Sequence, residues 1–234
     1  MVLAPTSSLA ALWAIRHGQS TANVAFAEAE QSGSAVLPVA GRDRDVPLSE
    51  SGRTQAQALG PWLTAFADGP DLVVCSPYTR ARQTWQAMAD HAAAAGRAVP
   101  AVLVDERLRD REMGVFELHP PTVLRARAPE EAQRRALLGE WFYRPPGGEA
   151  LADVALRVRD FTAELDRAAP GQRVLVVAHD AVVLALRFVL AGLGAPSPEN
   201  LPPVPNASVS SWHRNGQHLV LRHWGDTTHL DPTS

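Results

Sequence analysis

The chain has 234 residues and a formal net charge of −3, enough length for a sizeable buried core and no excess of positive charge for a nucleic-acid surface. Its 22 basic residues are all arginine, which excludes lysine Schiff-base chemistry, a P-loop lysine and a kinase-type lysine. The one cysteine, Cys75, excludes an intrachain disulfide and a multi-cysteine zinc site and favours a reducing, cytoplasmic setting. In chain order, Met1–Ser8 lacks the positive charge of a secretory leader. Leu9–Ile15 is an apolar run that reads as a buried strand stopping at Arg16-His17-Gly18. Ser20 and Thr21 offer caps for a helix through Val24–Gln31, and 32–45 is polar loop. Ser49 caps a second helix that continues to about Phe66. Asp71–Cys75 is the next strand, and Ser76-Pro77 is expected to open a helix to Ala95 with proline in its first turn, where a missing N–H costs nothing.

Val99–Val104 reads as a third strand, 120–138 as one or two surface helices, Pro145–Gly148 as a rigid turn and Asp153–Leu165 as an amphipathic helix. Val174–Leu193 has transmembrane length, but His179, Asp180 and Arg187 interrupt it. A strand over Arg173–Ala178 followed by a helix over Ala181–Ala191 is the better assignment, and no membrane partner is expected. Pro196–Pro205 is loop, and Asn215-Gly216 joins strands Ser208–Arg214 and His218–His223 as a hairpin. Apolar strands alternating with helices predict an α/β fold, a mostly parallel sheet with helices on both faces. With no repeat or long linker, residues 1–234 are expected to form a single domain.

Ligands of open α/β sheets bind at the carboxyl ends of the strands. Two strands here run into histidine, at His17 and His179, and a third ends shortly before Arg80. If these strands are neighbours, Arg16, His17, Arg80 and His179 meet in one pocket. Guanidinium forks match phosphate oxygens, and the helix beginning near Ser20 would add backbone N–H groups. This is an oxyanion site built without metal, in which a histidine can attack phosphorus while Arg16, Arg80 and an imidazolium at His179 hold the equatorial oxygens.

The same residues resemble a known family. Arg16-His17-Gly18-Gln19-Ser20-Thr21-Ala22-Asn23 resembles the R-H-G-x-[ST]-x-x-N signature of the histidine phosphatase superfamily, the phosphoglycerate-mutase-like proteins. Asp45-Val46-Pro47-Leu48-Ser49 with Gly52 and Gln55-Ala56, Ser76 to Thr84, Pro146-Gly147-Gly148-Glu149 with Asp153 and Arg157, Val176 to His179, and Asn206 to Val209 are similar to further family segments in the right order. The resemblance spans roughly Leu9 to Leu230 and implies a three-layer α/β/α sandwich. It implies His17 as the nucleophile that becomes phosphohistidine, Arg16, Arg80 and His179 as the phosphate pocket, and Asn23, with Ser20 and Gly18, at the substrate. It implies no cofactor and no metal.

The family's proton donor is usually a glutamate in L-x-E-x-x-x-G; here Leu108-Arg109-Asp110 to Gly114 places Asp110 there, one methylene shorter. Glu112 and Asp180 are the alternative donors, Asp180 because a His-Asp pair marks the acid-phosphatase branch. Residues 24–44 are longer than in small members and could form a lid or a substrate-selecting wall. A Cys75 nucleophile would need a C-x₅-R loop, and only four residues separate Cys75 from Arg80. Trp62, Trp85 and Trp141 read as packing aromatics, and His213, His218, His223 and His229 as hairpin residues without a metal role. Arg125, Arg127, Arg134 and Arg135 read as a solvated helix face from which one could reach a second anionic group. The expected function is metal-independent hydrolysis of a small phosphorylated metabolite. The alternatives are a phosphoglycerate-mutase-type phosphotransferase and an inactive binding module on the same fold.

Overall fold

In the first strand, β1 (Ala11–Arg16), Leu12 and Ala14 enter one apolar core while Ala11, Trp13 and Ile15 enter another. The strand's two-residue period therefore splits its side chains between two faces, and each face must be covered. The computed structural model describes residues 3–66, 69–198 and 203–231. After β1 the chain forms α1 (Thr21–Ser32), α2 (Glu50–Thr64), β2 (Leu72–Cys75), α3 (Thr79–Ala94), β3 (Ala101–Val104), α4 (Pro121–Arg127) and α5 (Pro129–Phe142). It continues with α6 (Leu151–Ala168), β4 (Arg173–Ala178), α7 (Asp180–Ala191), β5 (Val209–Asn215) and β6 (His218–Asp226).

The strands form a six-stranded sheet in the order β3-β2-β4-β1-β5-β6. β1 to β4 run parallel, and β5 lies antiparallel to both β1 and β6. Helices α2 and α3 cover one face through Leu59, Leu63, Trp85 and Met88, and α6 and α7 cover the other through Val158, Phe161, Val182 and Leu186. This is the three-layer α/β/α sandwich expected from the sequence.

The register positions the site. Arg16 pairs with Ala178 across β1 and β4, and Cys75 pairs with Val177 across β2 and β4. The next residues, His17, Ser76 and His179, therefore leave the same sheet edge side by side. The chain departs β1 over the α2 face and departs β4 over the α7 face, so a crevice opens between the two strand ends.

Local chemistry sets the starts of α1 and α2. Ser20 caps α1: its hydroxyl accepts from Asn23 N–H while the Asn23 side chain accepts from Ser20 N–H, a reciprocal capping box. Ser49 caps α2 by accepting from Gly52 N–H. One expectation needs correction. Pro77 is not in the first turn of α3, which starts at Thr79: proline disfavours a helical Ser76, and the Ser76 hydroxyl accepts from Tyr78 N–H instead. Of the one or two helices expected over 120–138 there are two, because Pro129 disfavours a helical Ala128, whose ψ is 65°. Residues 199–202 of the Pro196–Pro205 loop, and Met1 and Val2, lie outside the described residues.

Candidate active site

His17 follows β1 and is buried. Its Nδ1 lies 2.7 Å from the Gly18 carbonyl, which can only accept, so that nitrogen carries the proton. Its Nε2 is left with a lone pair and receives the Nε–H of Arg80 at 3.1 Å. Burial, then the positive charges of Arg80, His179 and Arg16, hold the His17 pKa well below the usual 6.5. The imidazole is therefore neutral and nucleophilic at Nε2.

Arg80, in the first turn of α3, is 3% exposed and spends every guanidinium nitrogen. Besides His17 it reaches the Asp110 carboxylate at 2.8 Å and Asp43 through three further bonds. Tyr78 lies under the same guanidinium, 5.0 Å from ring centroid to Cζ. His179 is fully buried, with Nε2 2.7 Å from Ser76 Oγ and its ring 5.1 Å from that of His17. Its Nδ1 lies 3.3 Å from Asp110 Oδ2 without hydrogen-bond alignment. Burial lowers the His179 pKa, opposed by the Asp110 charge beside it. Asp110, largely buried, is ionised: the positive partners His179 and Arg80 outweigh desolvation and hold its carboxyl well below the usual range. Arg16 donates to the Val204 carbonyl at 2.6 Å, and its buried Nε has no hydrogen-bond partner.

Arg16, His17, Arg80 and Asp110 line a cavity of about 480 Å³ together with Asn23, Phe26, Asp43, Glu112, Leu151 and Leu184, and His179 lies buried behind them. Among the described residues the buried Nε–H of Arg16 has no hydrogen-bond partner, a free donor that suits an anion. His17, Asp110 and His179 place ligand atoms within 4.8 Å of one another, the spacing of a metal site. The Arg80 guanidinium lies against two of these groups and repels a cation, and His17 Nε2 already accepts from it.

The sequence profile of the histidine phosphatase superfamily, branch 1, matches residues 12–227. The chain belongs to that superfamily. It is 34% identical over 187 residues to a 2,3-bisphosphoglycerate-dependent phosphoglycerate mutase of Methylobacterium radiotolerans, covering 79% of this chain and 82% of that protein. It is 32% identical over 209 residues to a second such mutase from Gloeobacter violaceus, covering 84% and 81%. Among solved structures it is similar to a mycobacterial glucosyl-3-phosphoglycerate phosphatase in complex with VO3, with a TM-score of 0.72 and 29% identity over 93% of this chain and 99% of that one.

Within this member of the histidine phosphatase superfamily, the sequence-derived set Arg16, His17, Arg80, Asp110 and His179 is brought together. The structure adds detail to three other expectations. Gly18 does not line the cavity. Its N–H donates to Thr84 Oγ1, and a Cβ there would stand 2.4 Å from the Gly52 carbonyl, so it is needed for close approach to α2. Ser20 and Asn23 both line the cavity; Ser20 Oγ and the Asn23 side-chain carbonyl accept in the α1 cap, which leaves the Ser20 O–H and the Asn23 amide nitrogen as donors. Residues 24–44 contribute a wall: α1 presents Phe26 and is tied to α4 by the Glu30–Arg125 ion pair.

The alternative donors also line the cavity. Glu112 accepts from the Tyr78 hydroxyl and pairs with Arg109, and Asp180 accepts from Ala181 N–H at 2.7 Å. Cys75 faces the α2–α3 core, where burial pushes its thiol up to about 12, which makes it inert. Trp85 and Trp141 are buried and Trp62 packs on Phe66, as the packing assignment requires. Two residues went unrecognised. Asp43 carried no signal in its polar loop, whereas Ser76, first after a strand and before proline, had a position that pointed to the edge where it meets His179.

Proposed function

We propose that the protein is a metal-independent phosphomonoesterase working through a phosphohistidine on His17. The observation that carries this reading is the neutral His17, its Nδ1–H fixed by Gly18 and its Nε2 lone pair facing the Arg80 guanidinium. The phosphoryl group of a monoester would lie between Arg16, Arg80 and His179. His17 Nε2 forms the P–N bond as the P–O bond to the leaving group breaks, and Asp110 gives that oxygen a proton. Water then attacks phosphorus as the P–N bond breaks and returns its electron pair to His17 Nε2, Asp110 takes the water proton, and inorganic phosphate leaves. Substrate supplies the condition for this exchange. A bound dianion takes Arg80 and His179 away from Asp110 and adds negative charge beside it, which raises the Asp110 pKa toward protonation.

The outer cavity supports water, rather than a second phosphorylated acid, as acceptor. Its guanidiniums, Arg111 and Arg135, are both paired with Glu140, and Glu112 and Glu117 add negative charge. Phe26, Met113, Phe116, Leu118, Leu151 and Leu184 supply apolar surface. A mutase must hold a second anion, and among the described lining residues no unpaired arginine offers to hold one there. The substrate is accordingly a small phosphomonoester with an uncharged, partly apolar leaving group. The reading assigns the work to one domain in the cytoplasm, without nucleic acid. Among the described residues no helix is long and apolar enough to cross a membrane.

A kinetic panel tests this. Naphthyl and nucleoside monophosphates should be hydrolysed with higher kcat/KM than 3-phosphoglycerate or bisphosphoglycerate, and EDTA should change nothing. Interconversion of phosphoglycerates faster than their hydrolysis would establish the mutase instead.

Removing the charge clamp gives a second test. Arg16→Ala or Arg80→Ala should lower kcat by about 10²–10³, the scale for losing one preorganised oxyanion donor. Arg80→Lys should not restore it, because an ammonium cannot supply the planar fork. Full activity in Arg80→Lys would show that charge alone suffices.

A further inference from the structure

We propose that Asp43 is a positioning residue that orients Arg80 in the phosphoryl site, an inference that rests on the phosphatase reading above. The Arg80 guanidinium uses two different edges. Its Nε and Nη2 face the reaction centre, reaching His17 Nε2 at 3.1 Å and Asp110 Oδ2 at 2.8 Å. Its Nη1–Nη2 end is gripped by Asp43, with Nη1 to Oδ1 and Nη2 to Oδ2 both at 3.0 Å, and Nη1 to the Asp43 carbonyl at 2.7 Å. A guanidinium is rigid and planar, so fixing one end fixes the plane and direction of the other edge.

Asp43 is itself anchored. It opens a 3₁₀ turn, Asp43–Asp45, and its N–H donates to Glu117 Oε1 at 2.8 Å. Its grip on Arg80 bridges 37 residues of sequence and ties the wall segment to the catalytic helix α3. The grip also has an electrostatic purpose. Arg80 is buried and needs a compensating charge throughout the reaction. Asp110 loses its charge whenever it holds the proton, whereas Asp43 at the far end takes no part in that transfer, although burial pushes its carboxyl up from the usual value. A carboxylate on a guanidinium fork could instead compete with the phosphoryl group for the same donors. The two roles predict opposite signs, since a competitor's removal tightens phosphate binding and an orienter's removal weakens it.

The experiment compares the full-length wild type with Asp43→Ala and Asp43→Asn. It measures kcat and KM for p-nitrophenyl phosphate and an alkyl phosphate, calorimetric affinity for inorganic phosphate, and the thermal unfolding midpoint. Orientation predicts a fall in kcat/KM of about ten- to a hundred-fold, similar for both leaving groups, together with weaker phosphate binding. Asp43→Asn should retain part of the activity, because its amide oxygen still accepts from Nη1. Tighter phosphate binding and a lower KM in either variant would overturn the proposal in favour of a competing anion. Unchanged kinetics would overturn it by showing that Arg80 needs no holder. If Asp43→Ala does not fold, Asp43→Asn carries the comparison alone. If the wild type hydrolyses no phosphomonoester, the phosphatase reading falls, and the phosphate titrations still decide the role of Asp43.

Discussion

His17→Ala should abolish turnover, with kcat reduced on the order of 10⁵–10⁶, the scale of losing a covalent nucleophile. The wild type, quenched rapidly during turnover, should carry an acid-labile, base-stable phosphate on this residue, and the variant should carry none. The pH dependence follows from the same environment. Burial and the neighbouring positive charges hold the folded His17 pKa well below 6.5, so the nucleophile stays unprotonated through the weakly acidic range. The acid limb of kcat/KM for the free enzyme should accordingly lie below pH 6.5, not at it. Stability shares the sign. The unfolded His17 binds its proton near 6.5 and the folded one only well below, so the free energy of unfolding, and with it stability, falls as pH drops below that value. His17→Ala should flatten part of that slope. A trapped phosphate on another residue, or activity surviving in His17→Ala, would remove the basis of the phosphohistidine mechanism.

Asp110→Asn should separate proton donation from phosphoryl binding. An alkoxide is a poor leaving group and needs the proton, whereas p-nitrophenolate barely does. The variant should therefore lose about 10²–10⁴ in kcat on an alkyl phosphate and far less on p-nitrophenyl phosphate. The structure favours Asp110 over its rivals by position. Its carboxylate lies against both Arg80 and His179, within 4.8 Å of the His17 nitrogen. Glu112 is turned toward Tyr78 and Arg109, and Asp180 splits its carboxylate between the Ala181 N–H and Arg16, 3.9 Å away. Equal loss on both substrates would make Asp110 a structural partner of Arg80, and the comparison would pass to Glu112 and Asp180.

Much of this site was legible because its signals are local. An apolar run that stops at Arg16-His17, and another that stops at His179, place two histidines at strand ends wherever the strands lie. The Ser20–Asn23 cap is a three-residue pattern, and Gly18 is legible as a special position. Its reason is not, since the obstacle to a side chain is the Gly52 carbonyl of another element. Ser20 and Asn23, by contrast, line the cavity as well as capping α1. Pro77 misled for a related reason. Proline is compatible with a helix start, but its constraint on Ser76 combined with the pull of His179 to delay α3 to Thr79.

By itself the sequence determined the alternation of strands and helices, the exclusion of lysine and disulfide chemistry, and the histidine–arginine set at the strand ends. Periodicity, caps and composition act over a few residues and need no partner from elsewhere. Only the tertiary structure decided which charges meet. Asp43 reaches Arg80 across 37 positions, and Glu140 reaches Arg111 across 29, neutralising an arginine that could have held a second anion. The directions in which the pKa values of His17, His179 and Asp110 move were likewise decided there. Burial and neighbouring charge set a pKa, and both are properties of the folded site rather than of the residue.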